Sequence, residues 1–157
     1  MFFIGIVSEE KNEKHIKDIL KQKIENENVV FINEKNIENI KNIKFKIIVL
    51  NKGIDNKNIK NILLNAEYLI LNSDINVKID LIESLDLKVI TYGFNSKSTV
   101  TASSVTEEEM LICVQRNIIN IKGKKIEPQE INIEKDIMLD NYDNMYIMCL
   151  ATIYGKM

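Results

Sequence analysis

The sequence predicts an α/β domain: a three-layer, Rossmann-like, mainly parallel sheet flanked by helices, with a small antiparallel β-meander and a C-terminal helix. Three observations predict it. Short apolar runs alternate with stretches whose apolar residues recur every three or four positions, the pattern of strands and helices in turn. The runs are almost continuously apolar, as strands are when helices cover both sheet faces. After Gly93 this pattern gives way to shorter segments joined by polar turns. With 157 residues the chain suits one domain with a real core. Its expected parts are a parallel α/β part (1–95), a β-meander (96–135) and a C-terminal helix (136–157).

MFFIGIV (1–7) reads as a buried strand. SEEKNEKHIKDILKQKIEN follows, with Ile16, Ile19, Leu20 and Ile24 at helical spacing. Ser8 or Asn12 would cap this helix, and Glu9, Glu10 and Glu13 would lie at or near its positive end. NVVFI (28–32), FKIIVL (45–50), EYLILN (67–72) and LKVITYG (87–93) read as further strands. Between them, Ile37, Ile40 and Ile43 mark a short helix, and Ile59, Ile62 and Leu63 mark a second. A third helix is expected over NVKIDLIESL (76–85). Segments 98–105, 110–115 and 125–133 read as the meander, with Lys122-Gly123-Lys124 as its clearest turn. Thr106-Glu107-Glu108-Glu109 also fits a capping box that would begin a helix, whereas the β-rich run LICVQRNIINI favours a strand. Pro128 then requires an edge or a bulge. Asn141–Gly155 is apolar on most sides, which predicts a buried helix or a contact with another subunit.

Composition narrows the function classes. Apolar residues make up 45% and charged residues 28% of the chain, and the net charge is −2 with both signs interleaved. This is a globular composition without the basic field that nucleic-acid binding needs. Cys113 and Cys149 are far apart in apolar surroundings, as two buried thiols in a reducing compartment would be. The single histidine, His15, excludes a zinc site built on several imidazoles. No apolar run approaches the ~20 residues of a membrane span, and Phe2–Val7 is too short for a signal peptide. The expectation is a cytoplasmic protein without membrane or nucleic-acid partners.

The stretch AEYLILNSDINVKIDLIESLDLKVITYGFNSKSTVTASSV resembles the end of the central, nucleotide-binding domain of the Mur ligases and of the related folylpolyglutamate synthases. In those families a strand ending in Asn-x-Asp leads to a helix, then to a strand ending in Gly, then to a small antiparallel sheet. Here Asn72-Ser73-Asp74 and Ile90-Thr91-Tyr92-Gly93 occupy those places. FKIIVLNKGID looks like the strand ending in Thr-Asn with its Asp-bearing loop, which makes Asn51 and Asp55 the matching residues, although the His that usually precedes that Asp is absent. DNMYIMCLATIYG looks like the family's Asn-containing helix, so the resemblance makes Asn144 the adenine-side asparagine. FFIGIVSEEKNEKHIKDIL aligns with the strand, phosphate loop and helix that open the domain.

The departure lies in that loop. The family uses Thr-Gly-x-x-Gly-Lys-Thr, whose glycines let backbone amides wrap the phosphates while lysine and hydroxyl serve charge and magnesium. Here the place reads Ser8-Glu9-Glu10-Lys11-Asn12-Glu13-Lys14. It has no glycine, and three carboxylates face two lysines. The chain also carries neither of the family's substrate domains. ATP-dependent ligation is therefore not expected, and no cofactor is assigned. The expectation is a non-catalytic Mur-ligase-like domain acting as a binding or interaction module. Its partner would be a second copy or another protein, met through the apolar C-terminal helix. The alternative is a small-ligand or nucleotide-binding enzyme or sensor that uses the strand C-terminal edge.

The ligand-binding candidates are Asn51, Asp55, Asn72, Asp74 and Asn144. The first four would line one pocket. For Asn72-Ser73-Asp74 the competing reading is an Asx turn that starts the next helix, and the same choice applies to Asn51, Lys52 and Asp55. Thr99, Thr101, Ser103 and Ser104 would line a polar cleft or a solvated sheet face. Arg116, with Glu127 and Glu130 on a neighbouring strand, suggests a structural ion pair or a contact with a partner. His15 reads as a surface residue with no acid partner in view.

Overall fold

The computed structural model describes residues 2–76 and 82–156. Its main sheet has eight strands: β1 (Phe3–Val7), β2 (Val29–Phe31), β3 (Phe45–Leu50), β4 (Tyr68–Asn72), β5 (Lys88–Tyr92), β6 (Val100–Val105), β7 (Glu109–Val114) and β10 (Gln129–Glu134). Their order is β10-β7-β6-β5-β4-β3-β1-β2, and β8 (Ile118–Ile119) pairs with β9 (Lys125–Ile126) in a separate ribbon. The helices are α1 (Glu13–Ile24), α2 (Ile37–Ile40), α3 (Asn58–Leu64) and α4 (Asn141–Ile153) among the described residues. Half of the helix expected over 76–85, residues 77–81, lies outside the described residues. No described helix is long and apolar enough to cross a membrane.

Strands β2-β1-β3-β4-β5 are parallel, as the alternating pattern predicts. Alternate residues of β3 face opposite sides. Ile47 and Val49 join the core under α1 and α4, while Ile48 and Leu50 join the core under α2 and α3. Two covered faces explain the unbroken run FKIIVL. Helix α1 buries Ile16, Leu20 and Ile24, leaving Ile19 partly covered. Asn12 takes the position before α1 but does not cap it through its side chain, in contrast to expectation. Its backbone is left-handed, with φ 61°, and its amide reaches Met138 O at 3.4 Å instead.

The antiparallel part is the expected meander appended to the parallel sheet. It extends the parallel one, because β6 joins β5 in parallel through the single pair Tyr92↔Val100. Val100 begins β6 beside the last residue of β5, so β6 runs on past the C-terminal edge. Seven residues, 93–99, therefore suffice for the connection, where a full parallel crossover takes a dozen or more. Thr106 does form the expected bond with the amide of Glu109, at 3.0 Å, but the bond closes the β6–β7 hairpin rather than starting a helix. The third antiparallel strand begins only after Pro128, which separates β9 from β10 and leaves β10 as the edge. Gly123 supplies the positive φ, 79°, of the β8–β9 turn.

The antiparallel end also curls. Strand β10 lies six strands from β1, about 29 Å across a flat sheet. Yet His15 of α1 bonds Asp136, just past β10, at 2.7 Å. Residues of α1, β10 and α4 line one groove of about 380 Å3. The sheet must therefore turn over α4 and bring its far edge back to α1. A bulge between Ala102 and Ser104 bends β6 in the middle of this turn. Helix α4 is enclosed as a result, and every residue from Asp143 to Ile153 is buried. The all-round apolar character that pointed to a partner is met within the chain.

The turn from parallel to antiparallel rests on Gly93 and Asp74. Gly93 has φ 152°, and a Cβ there would stand 2.8 Å from the Asp74 carboxylate and from Ser73 Oγ. Gly93→Ala is expected to destabilise the protein by about 2–3 kcal/mol in chemical denaturation. A variant as stable as the parent would show that this connection is not under constraint.

Candidate functional site

The parallel strand order 2-1-3-4-5 reverses direction between β1 and β3. Outside the carboxyl ends of those two strands lies the crevice where open α/β sheets hold ligands. Here the two strand ends are stitched together. The amides of Asn51 and Lys52 donate to Val7 O at 2.9 and 3.2 Å. Asn51 Nδ2 donates to Ser8 Oγ at 3.0 Å and to Asp143 Oδ1 at 3.3 Å. Asn51 Oδ1 accepts from the Tyr92 hydroxyl, and Asn51 O accepts from Asn72 Nδ2 at 3.1 Å.

Helix α4 completes the cluster from above. Asp140 caps it by accepting from the amide of Asp143 at 2.8 Å. Asp143, in the first turn, is 4% exposed. Burial first, and then the neighbouring Asp140, pushes its carboxyl up from 3.8 to about 6. One turn on, and so on the same helix face, stands Tyr146. Its hydroxyl is buried without a hydrogen-bond partner among the described residues. Burial raises the Tyr146 and Tyr92 phenols well above their usual range, and the two rings lie 6.4 Å apart. The β1–α1 loop skirts this cluster with Glu9, Glu10 and Lys11 exposed.

Of the five sequence candidates, Asn51 and Asn72 belong here. The other three do not join them, so the four-residue pocket is corrected. Asp74 turns to the 93–95 loop, accepting from the amides of Phe94 and Asn95 at 2.7 and 3.2 Å and from the Tyr142 hydroxyl at 2.9 Å. The Asx turn is present, with the Asp74 amide 3.0 Å from Asn72 Oδ1. Asp55 is exposed in the loop before α3. Asn144 ties down the segment before α4: its oxygen accepts from the Asp136 amide at 2.9 Å, and its amide donates to Asp136 O and Asp140 O at 3.1 and 2.9 Å. These bonds give it a structural role, and it also lines the groove between α1, β10 and α4.

Of the other polar residues, Arg116 and His15 are placed differently from the sequence reading, while Cys149 follows it. Arg116 donates to Lys97 O at 2.7 Å and reaches Thr99 Oγ1 at 3.4 Å, rather than pairing with Glu127 or Glu130. Ser103 and Ser104 are exposed and Thr101 half-buried, as on the solvated face that was one of the two readings, while Thr99 is buried. Cys149 is buried, and burial pushes its thiol up to about 12. His15 has the acid partner that was not in view, Asp136, contributed from 121 residues away.

Sequence reasoning missed Tyr92, Asp143 and Tyr146, and treated Ser8 only as a cap. One signal was there to use: Asp143 and Asn144 are polar outliers in an otherwise apolar helix, and a polar group inside a buried helix is the informative exception. Among the described residues no set of three or more His, Cys, Asp or Glu side chains is placed to hold a metal ion. Comparison with protein-family models and with curated proteins finds no significant match. The fold and cluster define a doubly wound α/β domain with an acidic, buried switch point.

Two measurements test the cluster. Tyr146→Phe removes a hydroxyl that has no partner, so stability should stay level or rise by about 1 kcal/mol in denaturant titration; a loss of 2 kcal/mol would reveal a hidden partner. The folded-state pKa of Asp143 is raised, so its protonated form favours the fold. That contribution is full below about 3.8 and is lost as pH rises through about 6. Asp143→Asn should flatten this part of the stability–pH curve and be at least as stable as the parent at pH 7.

Proposed function

We propose that this chain is a non-catalytic, cytoplasmic α/β binding module, similar to the central domain of the Mur ligases without its phosphate loop. Its ligand is a small polar molecule bound at the β1/β3 switch point. The observation that carries this reading is the buried, unpartnered Tyr146 hydroxyl one helical turn on from the buried Asp143 carboxyl, which itself meets Asn51 at the sheet edge where this class of fold holds ligands. Native structures pair their buried polar groups, so an orphan at such a place signals a missing partner.

Two features support binding over catalysis. The β1–α1 loop holds no glycine and carries Glu9 and Glu10, and α1 opens with Glu13, which together disfavour a triphosphate. The single histidine bonds Asp136, so no histidine serves a hydroxyl or thiol of the cluster as base. A protein partner enters this reading only as an alternative, because α4 has little apolar surface left to offer.

The test is a thermal-shift titration against magnesium ATP, ADP, UDP-sugars and a panel of small polar metabolites. A ligand at ~100 times its dissociation constant adds about 2.7 kcal/mol, a shift of several degrees. A small polar ligand should raise the melting temperature of the parent but not of Asp143→Asn, and magnesium ATP should not raise it. A shift with ATP would mean that the glycine-free loop binds phosphate after all. Silence across the whole panel would remove the ligand and leave the protein-partner alternative.

A further inference from the structure

We propose that the groove between α1, β10 and α4 binds an aliphatic monocarboxylic acid of medium chain length, its tail over the apolar floor and its carboxylate beside Lys23. Asn51, Asp143 and Tyr146 do not line this groove, so the site stands or falls independently of the switch point.

The groove holds about 380 Å3, the size of a small-molecule pocket. Its two ends are unlike. At one, the Asp136 carboxylate bonds His15 of α1 at 2.7 Å, and the Asp136 backbone bonds Asn144 of α4, so the edge of the sheet is pinned to both helices. The donors there are spent, because the Asn144 amide gives its N–H bonds to Asp136 O and Asp140 O. Asp136 Oδ1 also accepts from the Met138 amide at 2.9 Å. At the other end α1 and α4 finish together, with Lys156 3.8 Å from Glu25. Lys23 belongs to this end, about 12 Å beyond His15 along α1. Between the ends the lining is apolar: Ile147, Met148 and Ala151 of α4, Ile19 of α1, and Ile131 and Ile133 of β10.

The lysines of the lining differ in what they already hold. Lys135 donates to Thr106 O at 2.9 Å, and Lys156 faces Glu25. Lys23 is exposed at the rim and enters no ion pair among the described residues. Ligand classes separate on this set. A cation meets three lysines, and Glu134, toward the pinned end, is the one carboxylate of the lining without a bond of its own among the described residues. A sugar would lay its hydroxyls on apolar side chains that bond none of them. A phosphate dianion suits helix N-termini or arginine. The lysine-bearing end is instead the C-terminal end of both helices, where carbonyl oxygens gather and lysine offsets them. A single negative charge with an aliphatic tail matches one free ammonium beside an apolar floor. The free edge of β10 is the other feature here, but Glu130 and Glu134 on that strand guard it against an added strand.

The experiment follows the amide 1H–15N spectrum of the full chain at pH 7.5 during titration with sodium octanoate. Octanoate should shift the amides of Ile19, Ile133, Ile147 and Ala151 saturably. Hexanoate should bind several-fold more weakly, because it buries fewer methylenes. Acetate and octylammonium chloride at the same concentrations should leave these amides in place. Lys23→Gln alters an exposed side chain, so it should melt as the parent does yet bind octanoate about tenfold more weakly. No shifts, or shifts scattered over the surface, would overturn the proposal. Shifts confined to Asn51, Asn72 and Asp143 would place the acid at the switch point and overturn it too. Octylammonium binding as tightly as octanoate, or Lys23→Gln binding octanoate as the parent does, would reject the carboxylate and overturn it. Groove amides that shift with protein concentration alone would assign the groove to a second copy, again overturning it.

Discussion

The structure depends on how Ser73 and Asp74, at the end of one strand, hold the loop that leaves the next. The Ser73 amide and hydroxyl both donate to Tyr92 O, at 2.8 and 3.1 Å, and the hydroxyl also meets Ser98 Oγ. The Asp74 carboxylate accepts two backbone amides, those of Phe94 and Asn95. Gln115 and Arg116 close the far side of the same loop through Ser96 O, Ser98 O and Lys97 O. These bonds satisfy a run of backbone groups that neither sheet ladder nor helix would serve. They fix where β6 starts, and so fix the direction in which the antiparallel extension departs. If β6 departed in another direction, the extension would not turn over α4, and the helix would have one face without cover.

That enclosure explains why the polar cluster is buried at all. A carboxylate in the first turn of a helix is ordinarily solvated, and it is favourable there because of the helix dipole. Here α4 lies under the curled sheet, buried from Asp143 to Ile153. Asp143 is carried below the surface and Tyr146 deeper still. Asn51 is the fixed point against which they rest, because its backbone and side chain bind β1, β4, β5 and α4 at once. The cluster is thus assembled from five elements, and none of them carries a recognisable motif on its own.

The parallel half was legible because it obeys simple periodicities. Unbroken apolar runs gave β1, β3 and β4, and three-to-four spacing gave α1 and α3. The antiparallel half was legible as strands appended to the parallel sheet, but not in how they join it. That outcome depends on one backbone pairing, Tyr92↔Val100, which no residue pattern encodes. The site was legible only in part. Asn51 and Asn72 were found because they end predicted strands. Asp74 and Asn144 were polar residues in the right region whose bonds turn inward to backbone. Tyr92, Asp143 and Tyr146 were missed because period-based reading counts an aromatic as core and stops there, while the direction of a phenol oxygen is set by packing. His15 and Asp136 meet only because the sheet curls.

The two cores differ in how much of the chain they draw together. The one under α2 and α3 is built from buried residues between Val7 and Leu69. The one under α1 and α4 reaches from Ile4 to Tyr154. Loop closure makes distant contacts slow to form. A nascent chain can therefore finish one side of the sheet while the other, lined by Ile4, Ile6, Ile47 and Val49, still lacks the helix that fills it. During that interval the half-made protein presents a broad oily surface bounded by unpaired strands. Such a surface invites aggregation or a chaperone. Helix α4 is in this sense a keystone in time as well as in space, since the sheet curls over something that is synthesised after all of its strands.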